Sequence, residues 1–242
     1  MTGAKSYMPE IKAILLVGGF GTRLRPVVSS IPKVLAAIRD KSFLELLITQ
    51  LRSQGIRHLV FCTGYMADQI ESKFGDGRTW DVAIEYSKEE VPLGTGGAVK
   101  LAQSHLEGDH EFLVLNGDSF LEVDFQSFMA FHRAHDSAIA TMAVRRVENA
   151  SRYGTVQMDE SGRVRGFAEK AGSEATGLVN GGIYMFHRSI LDHIPEGPAS
   201  LEKDVFPNVL SRGVYAQEQH GVFIDIGTPA DYARAQEVLK FA

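Results

Sequence analysis

The sequence predicts an α/β fold: a three-layer α/β/α sandwich around a mostly parallel central sheet, with a small β-rich insertion in the second half. Three observations carry this. Short apolar runs bounded by glycine, such as Ala13 to Val17, read as buried parallel strands. Helix-period stretches alternate with them, and strand, helix, strand, helix, strand demands right-handed crossovers within one sheet. After Ala150 the pattern changes to alternating strands joined by Asp159-Glu160-Ser161-Gly162, a hairpin signature.

The elements follow in order. Ser42-Phe43-Leu44-Glu45 is a capping box, and Leu44, Leu47, Ile48 and Leu51 form one helix face that Gly55 ends. Arg57 to Thr63 is the second strand, Met66 to Phe74 a short helix closed by Gly75, and Val82 to Tyr86 the third strand. Three glycines in Pro92-Leu93-Gly94-Thr95-Gly96-Gly97 lead into a helix over 98–105. Its entry would leave main-chain N–H groups open at a positive dipole end. Glu111 to Leu115 is a strand ending at Asn116-Gly117-Asp118-Ser119, followed by a helix over 125–134 and a strand over 137–144. Tyr153 to Val156 and Arg163 to Lys170 form the hairpin. A helix over 200–210, a short strand in Val222 to Gly227 and a last helix capped by Thr228-Pro229 complete the chain.

The 242 residues suit one large domain or two small ones, and no linker, repeat or low-complexity segment divides them. We read a single domain over 1–242, with 1–10 flexible and two halves, 11–123 and 124–242. Net charge is −5 with no block of like charges, which argues against a nucleic-acid binder. No signal peptide or membrane-length apolar stretch is visible, and a lone Cys62 fits a reducing compartment, so the expected location is cytoplasmic. Cys62 lies in the apolar run Leu59 to Cys62 and reads as a buried strand residue rather than a nucleophile.

The first strand leads into Gly18-Gly19-Phe20-Gly21-Thr22-Arg23-Leu24-Arg25-Pro26, with Pro32-Lys33 downstream. Glycines let the main chain approach a ligand, and its N–H groups can face phosphate oxygens beside the positive fork of Arg23 and the amine of Lys33. A plain strand-to-helix connection is the competing reading. The loop is neither G-x-G-x-x-G, because Leu24 replaces the third glycine, nor a P-loop, because no Gly-Lys-Ser/Thr follows. Asp118, just past a buried strand, is either a turn residue or a Mg²⁺ ligand. Asp225 sits among apolar neighbours, where a carboxylate needs a cation or hydrogen bonds, and it is the best second metal ligand. His132 and His135 have a metal-pair spacing, but a solvated helix face is the stronger reading.

The full string G-G-F-G-T-R-L-R-P with P-K downstream resembles the signature of the sugar-1-phosphate nucleotidyltransferases. P-L-G-T-G-G, R-Y-G-T-V, V-N-G-G-I-Y and I-D-I-G-T-P-A-D-Y extend the resemblance from Ala13 to Tyr232, and together look most like the D-glycero-α-D-manno-heptose 1-phosphate guanylyltransferases. One departure is Val34, where many relatives carry a second proline. The resemblance implies a Rossmann-like fold whose first half is mainly nucleotide-binding and whose second half forms the sugar-phosphate side. It implies transfer of a nucleoside monophosphate from GTP to a heptose 1-phosphate with Mg²⁺, giving GDP-heptose for bacterial surface polysaccharide. Arg23, Lys33, Asp118 and Asp225 would be catalytic. Leu16, Gly18, Gly19, Gly21, Thr22, Pro92, Gly94, Thr95 and Gly117 would join Arg23 and Lys33 around the nucleotide. Gly154, Glu169, Lys170, Asn180 and Gly181 would hold the sugar phosphate. The implied partners are small-molecule substrates, not nucleic acid or membrane, and a homodimer is left open. Other NTP and sugar pairs, a non-catalytic nucleotide-sugar sensor, and a sugar transferase acting on protein or lipid are the alternatives. Retention of both acids and the Glu169-Lys170 pair speak against the last two.

Overall fold

A computed structural model of the chain describes residues 11–24, 26–168 and 176–239. Arg25, Glu169, Lys170 and the segment 1–10 expected to be flexible lie outside the described residues.

The half over 11–123 is built around a parallel sheet, as its pattern predicts. Strands β1 (Lys12–Leu16), β4 (His58–Thr63), β5 (Ala83–Lys88) and β6 (Glu111–Asn116) pair in parallel in the order β6-β1-β4-β5. Between β1 and β4 lie a two-stranded hairpin, β2 (Ala37–Ile38) with β3 (Lys41–Ser42), and α1 (Phe43–Ser53). Helices α2 (Ala67–Phe74) and α3 (Gly94–Leu101) complete the crossovers. The carboxylate of Glu45 accepts from the Ser42 N–H and, at 2.6 Å, from its hydroxyl, fixing the start of α1 as a capping box does. Two apolar clusters sandwich the sheet: Leu15, Phe43, Leu47, Phe61 and Phe128 on one face, Ile14, Val99, Phe112, Tyr184 and Phe206 on the other.

Helix α3 starts four residues earlier than its apolar pattern predicts, at Gly94 rather than Ala98, and closes in a 3₁₀ turn, Ala102–Leu106. The reason is packing. The N–H groups of Gly96 and Gly97 donate to the Ala199 carbonyl at 2.8 and 3.2 Å. A β-carbon on Gly97 would collide with the Gly197 carbonyl oxygen. These glycines let two backbones touch. The Gly96 and Gly97 N–H groups are therefore spent, not open to a ligand.

The second half adds β7 (Ser119–Leu121), α4 (Phe125–Arg133), β8 (Ala140–Val147), β9 (Thr155–Met158), β10 (Val164–Ala168) and β11 (Gly177–His187). The eleven-residue β11 runs antiparallel to β6, β8 and β9 and extends the parallel sheet into the insertion. Strand β12 (Val214–Gln219), which carries no clear sequence signal, pairs in parallel with β8. The helix expected over 200–210 is three pieces: a π-helical turn Leu201–Val205, α5 (Phe206–Val209) and a 3₁₀ turn. Pro207 has no N–H to continue a regular α-helix, so the hydrogen-bond pattern widens before it. The short β13 (Phe223–Asp225) pairs with β7, and α6 (Pro229–Val238) follows, capped by Thr228, whose hydroxyl accepts from the Asp231 N–H.

His132 is not on a solvated face. It is buried, its Nδ1 lies 2.7 Å from Thr141 Oγ1, and burial lowers its pKa to about 4. His135 instead packs its ring between Phe131 and Tyr215. Cys62 is buried with its thiol pushed up by desolvation, and it contacts the Ala98 carbonyl at 3.5 Å. Among the described residues, no helix is long and apolar enough to cross a membrane.

Candidate active site

The carboxyl ends of β1, β5 and β6 meet in one cavity of about 380 Å³, where ligands of parallel sheets collect. Its walls come from five segments, one of them Gly227 just after β13. The glycine loop after β1 supplies Gly18, Gly19, Gly21, Thr22 and Arg23, and β1 itself supplies Leu16. Glu89, Pro92, Gly94 and Thr95 follow β5, Lys33 comes from the Pro32 turn, and Asn116 and Asp118 from β6.

Each glycine of the loop has its own physics. Gly18 packs against Gly64, whose nitrogen would be 3.0 Å from an added β-carbon, so the loop is seated on the end of β4. Gly21 has φ +57° and lies over the Lys33 stem, 2.9 Å from where its β-carbon would be. Gly19 has nothing within 4 Å of that position, so its backbone faces open space where a ligand can approach. Gly117 does not line the cavity. It is wedged under Leu16, Val17 and Val34 and acts in packing.

The charged centre is compact. Lys33 Nζ donates to Asp118 Oδ2 at 2.7 Å, with the lysine largely buried and the aspartate part exposed. Register brings the second acid beside the first: Asp225 pairs with Ser119 across β7 and β13, and the Ile226 N–H donates to the Asp118 carbonyl at 3.0 Å. Asp225 is largely buried. Desolvation, then the negative charge of Asp118, raises its pKa, opposed by Lys33, the Gly227 N–H and Arg23. An Arg23 guanidinium nitrogen lies 3.3 Å from where a Gly227 β-carbon would be. Two neighbouring carboxylates flanked by two cations form a hard-oxygen donor set that suits a divalent cation completed by phosphate oxygens. Among the described residues no cluster of three or more His, Cys, Asp or Glu offers a self-sufficient metal cage.

A second cavity of about 520 Å³ adjoins the first, with Arg23 and Gly227 on the shared wall. Asp225, Tyr153, Gly154, Thr228 and Asp231 line it. Arg152 also lines this cavity and clamps its 149–154 loop to the start of α6 by pairing with Asp231. Asn180 and Gly181 line neither cavity. Asn180 donates its Nδ2 to Tyr184 Oη at 2.7 Å and accepts the Gly182 N–H at 3.0 Å, while Gly181 makes room for Leu121.

Glu89 is a site residue without a sequence signal. It is half-buried in the cavity wall, accepts the Leu93 N–H at 2.9 Å, and its pKa is raised by burial. A lone glutamate before Pro92 has no pattern to single it out; only the fold turns it inward.

A glycine-lined cradle at the strand ends, a paired set of acids and two cations define a site for phosphorylated ligands. The chain belongs to the nucleotidyl transferase family, whose model matches residues 12–240. It is 37% identical over 229 residues to the mannose-1-phosphate guanylyltransferase of Mycobacterium tuberculosis, covering 93% of this chain and 63% of that protein. The mannose-1-phosphate guanylyltransferase catalytic subunit beta of Drosophila melanogaster is 37% identical over 235 residues, covering 96% and 63%. The chain thus spans a little under two thirds of the length of these curated relatives. HddC of Yersinia pseudotuberculosis, solved in complex with GMP-PN, superposes with a TM-score of 0.84 at 33% identity, covering 95% of this chain and all of that one.

Proposed function

We propose that the protein transfers GMP from GTP to D-glycero-α-D-manno-heptose 1-phosphate, giving GDP-heptose and pyrophosphate. The observation that carries the reaction class is the junction of Asp118, Asp225, Lys33 and Arg23 between two cavities. One cavity accommodates the nucleotide, the other the sugar phosphate, and the charged cluster lies where their phosphates would meet. An oxygen of the sugar 1-phosphate attacks the α-phosphorus, and the bond to the β-phosphate oxygen breaks as pyrophosphate leaves. The attacking oxygen is already anionic, so no strong base is required. Catalysis is then positioning and charge stabilisation.

Lys33 neutralises charge near the α-phosphate, and Arg23, on the shared wall, steadies the leaving pyrophosphate. Asp118 and Asp225 would hold Mg²⁺, which when bound supplies positive charge to the phosphate oxygens and relieves the burial of Asp225. Glu169 and Lys170 are assigned to the sugar phosphate by motif alone.

Glu89 supports guanine as the base. Guanine presents N1–H and the exocyclic N2 amine as adjacent donors, which one carboxylate accepts together. Uracil and thymine place carbonyl acceptors on both sides of their single N3–H, and a carboxylate repels these. The GMP-PN complex of HddC and the guanylyltransferase names of the relatives agree with this choice. A second sugar reading, mannose 1-phosphate, is favoured by those same names. Mannose shares the ring configuration of the heptose and lacks only its extra hydroxymethylene carbon.

The test is pyrophosphate release with Mg²⁺ over four NTPs and both sugar phosphates. Heptose 1-phosphate with GTP should give the highest kcat/KM. Higher kcat/KM with mannose 1-phosphate replaces the sugar and keeps the mechanism, and silence across the grid refutes the reading. Glu89→Gln should lower kcat/KM for GTP by about tenfold to a hundredfold, the scale of a hydrogen bond to a charged group.

A further inference from the structure

Tyr184 is fully buried in β11, where a phenol hydroxyl needs partners. Two side chains supply them. The hydroxyl donates to Glu202 Oε1 at 3.1 Å and accepts from Asn180 Nδ2 at 2.7 Å. Glu202 Oε2 accepts from Thr95 Oγ1 at 3.0 Å and from Ser200 Oγ at 2.9 Å. Thr95 Oγ1 in turn accepts the Leu201 N–H at 2.8 Å. Glu202 sits in the π-helical turn Leu201–Val205, an uncommon geometry that recurs at functional sites.

The ends of this chain are informative. Thr95 lines the main cavity, as does Asn116, and Asn180 belongs to the strand assigned to the sugar side. Neither Tyr184 nor Glu202 lines that cavity. The Asn116 Oδ1 is buried without a hydrogen-bond partner among the described residues. The Asn116 side chain is packed against Gly182, 3.0 Å from where a β-carbon on that glycine would be. Asn180 has its Nδ2 committed to Tyr184 and its Oδ1 fixed by Gly182, which sets the orientation of the amide.

We infer that Tyr184 and Glu202 are positioning residues that lock Thr95 and Asn180 into one hydrogen-bonded unit. The unit makes the nucleotide loop and the sugar strand move together. The assignment of Asn180 to the sugar side rests on the function proposed above. The coupling itself rests on the bonds described here.

The experiment uses the full chain with Tyr184→Phe, which removes only the hydroxyl, and Glu202→Gln, which keeps shape and swaps one acceptor for a donor. KM is measured separately for GTP and the sugar 1-phosphate, with melting temperature and amide hydrogen exchange. Tyr184→Phe should raise KM for the sugar 1-phosphate about tenfold while KM for GTP changes by less than about threefold, as for loss of one positioning bond. Exchange should quicken in 177–184 and in 94–101 together. Glu202→Gln should shift both readouts in the same direction by less. A lower melting temperature with both KM values unchanged, or faster exchange confined to β11, would overturn the inference. If the wild type turns over no substrate pair, the functional reading fails by itself, and the exchange arm alone decides the coupling.

Discussion

Replacing Gly97 by alanine separates two roles for the P-L-G-T-G-G loop. If its glycines expose N–H groups to a phosphate, the variant should lose nucleotide affinity and keep its stability. The structure predicts the reverse. A β-carbon at Gly97 would strike the Gly197 carbonyl and lie 2.9 Å from Leu93 Cβ, against the ~3.5–4.0 Å of comfortable carbon contact. Both neighbours belong to backbone or to the stem of a side chain and cannot swing away. Overpacking of this kind costs about 1–3 kcal/mol. Moving the 197–199 segment also loosens the two N–H bonds from Gly96 and Gly97 to Ala199, each worth about 1 kcal/mol. Alanine recovers about 1 kcal/mol of helix propensity. With both bonds lost the net loss is about 2–4 kcal/mol, and for a domain of this size that lowers Tm by about 4–16 °C. Calorimetric melting of Gly97→Ala beside the wild type measures it. An unchanged or higher Tm would refute the packing argument, and a weaker nucleotide Kd at unchanged Tm would restore the phosphate-facing reading.

Three further outcomes follow from the same geometry. Asp225→Asn should abolish Mg²⁺-dependent turnover without lowering Tm, because burial and Asp118 already disfavour its charge; a Tm drop as the main effect would make the acid structural. His132 has its pKa lowered to about 4 by burial, so its contribution is complete above the unfolded value near 6.5 and is lost as pH falls toward 4. The two values differ by about 3 kcal/mol in linkage, and His132→Leu should flatten the acid limb of a stability–pH curve; an unaltered limb would refute the burial argument. Arg152→Ala and Asp231→Asn should each raise KM for the sugar 1-phosphate severalfold, and the double variant should be no worse than the worse single one, since both cut one clamp. Additive effects would show that the residues act apart.

Much of the parallel half was legible because its code is local. Apolar runs, glycine punctuation and a capping box place β1, α1, β4 and β6 within a residue or two. Features set by distant partners were not. β12 ends in polar Gln217-Glu218-Gln219 and becomes a strand because β8 offers an edge. Helix α3 begins in three poor helix formers because Gly197–Ala199 packs against them. His132 looks like a surface residue until Thr141 is seen to receive it. Within the site, the glycine loop, Arg23, Lys33 and Asp118 announce themselves by motif. The burial of Asp225 and its partnership with Asp118 could be anticipated, but not the means of bringing them together, because pairing across β7 and β13 has no sequence mark. Glu89 was invisible for the same reason.

That pairing has a consequence for biosynthesis. Asp225 meets Ser119 across a separation of about a hundred residues, a loop whose closure is entropically costly and late. On the ribosome, the glycine cradle, Lys33 and Asp118 emerge long before the strand that carries the second acid. A nascent chain can therefore assemble the glycine cradle yet lack the complete charged centre until β13 has also emerged. The charged centre is complete only once β13 has folded back onto β7, so its assembly reports that long-range closure and not merely the early fold.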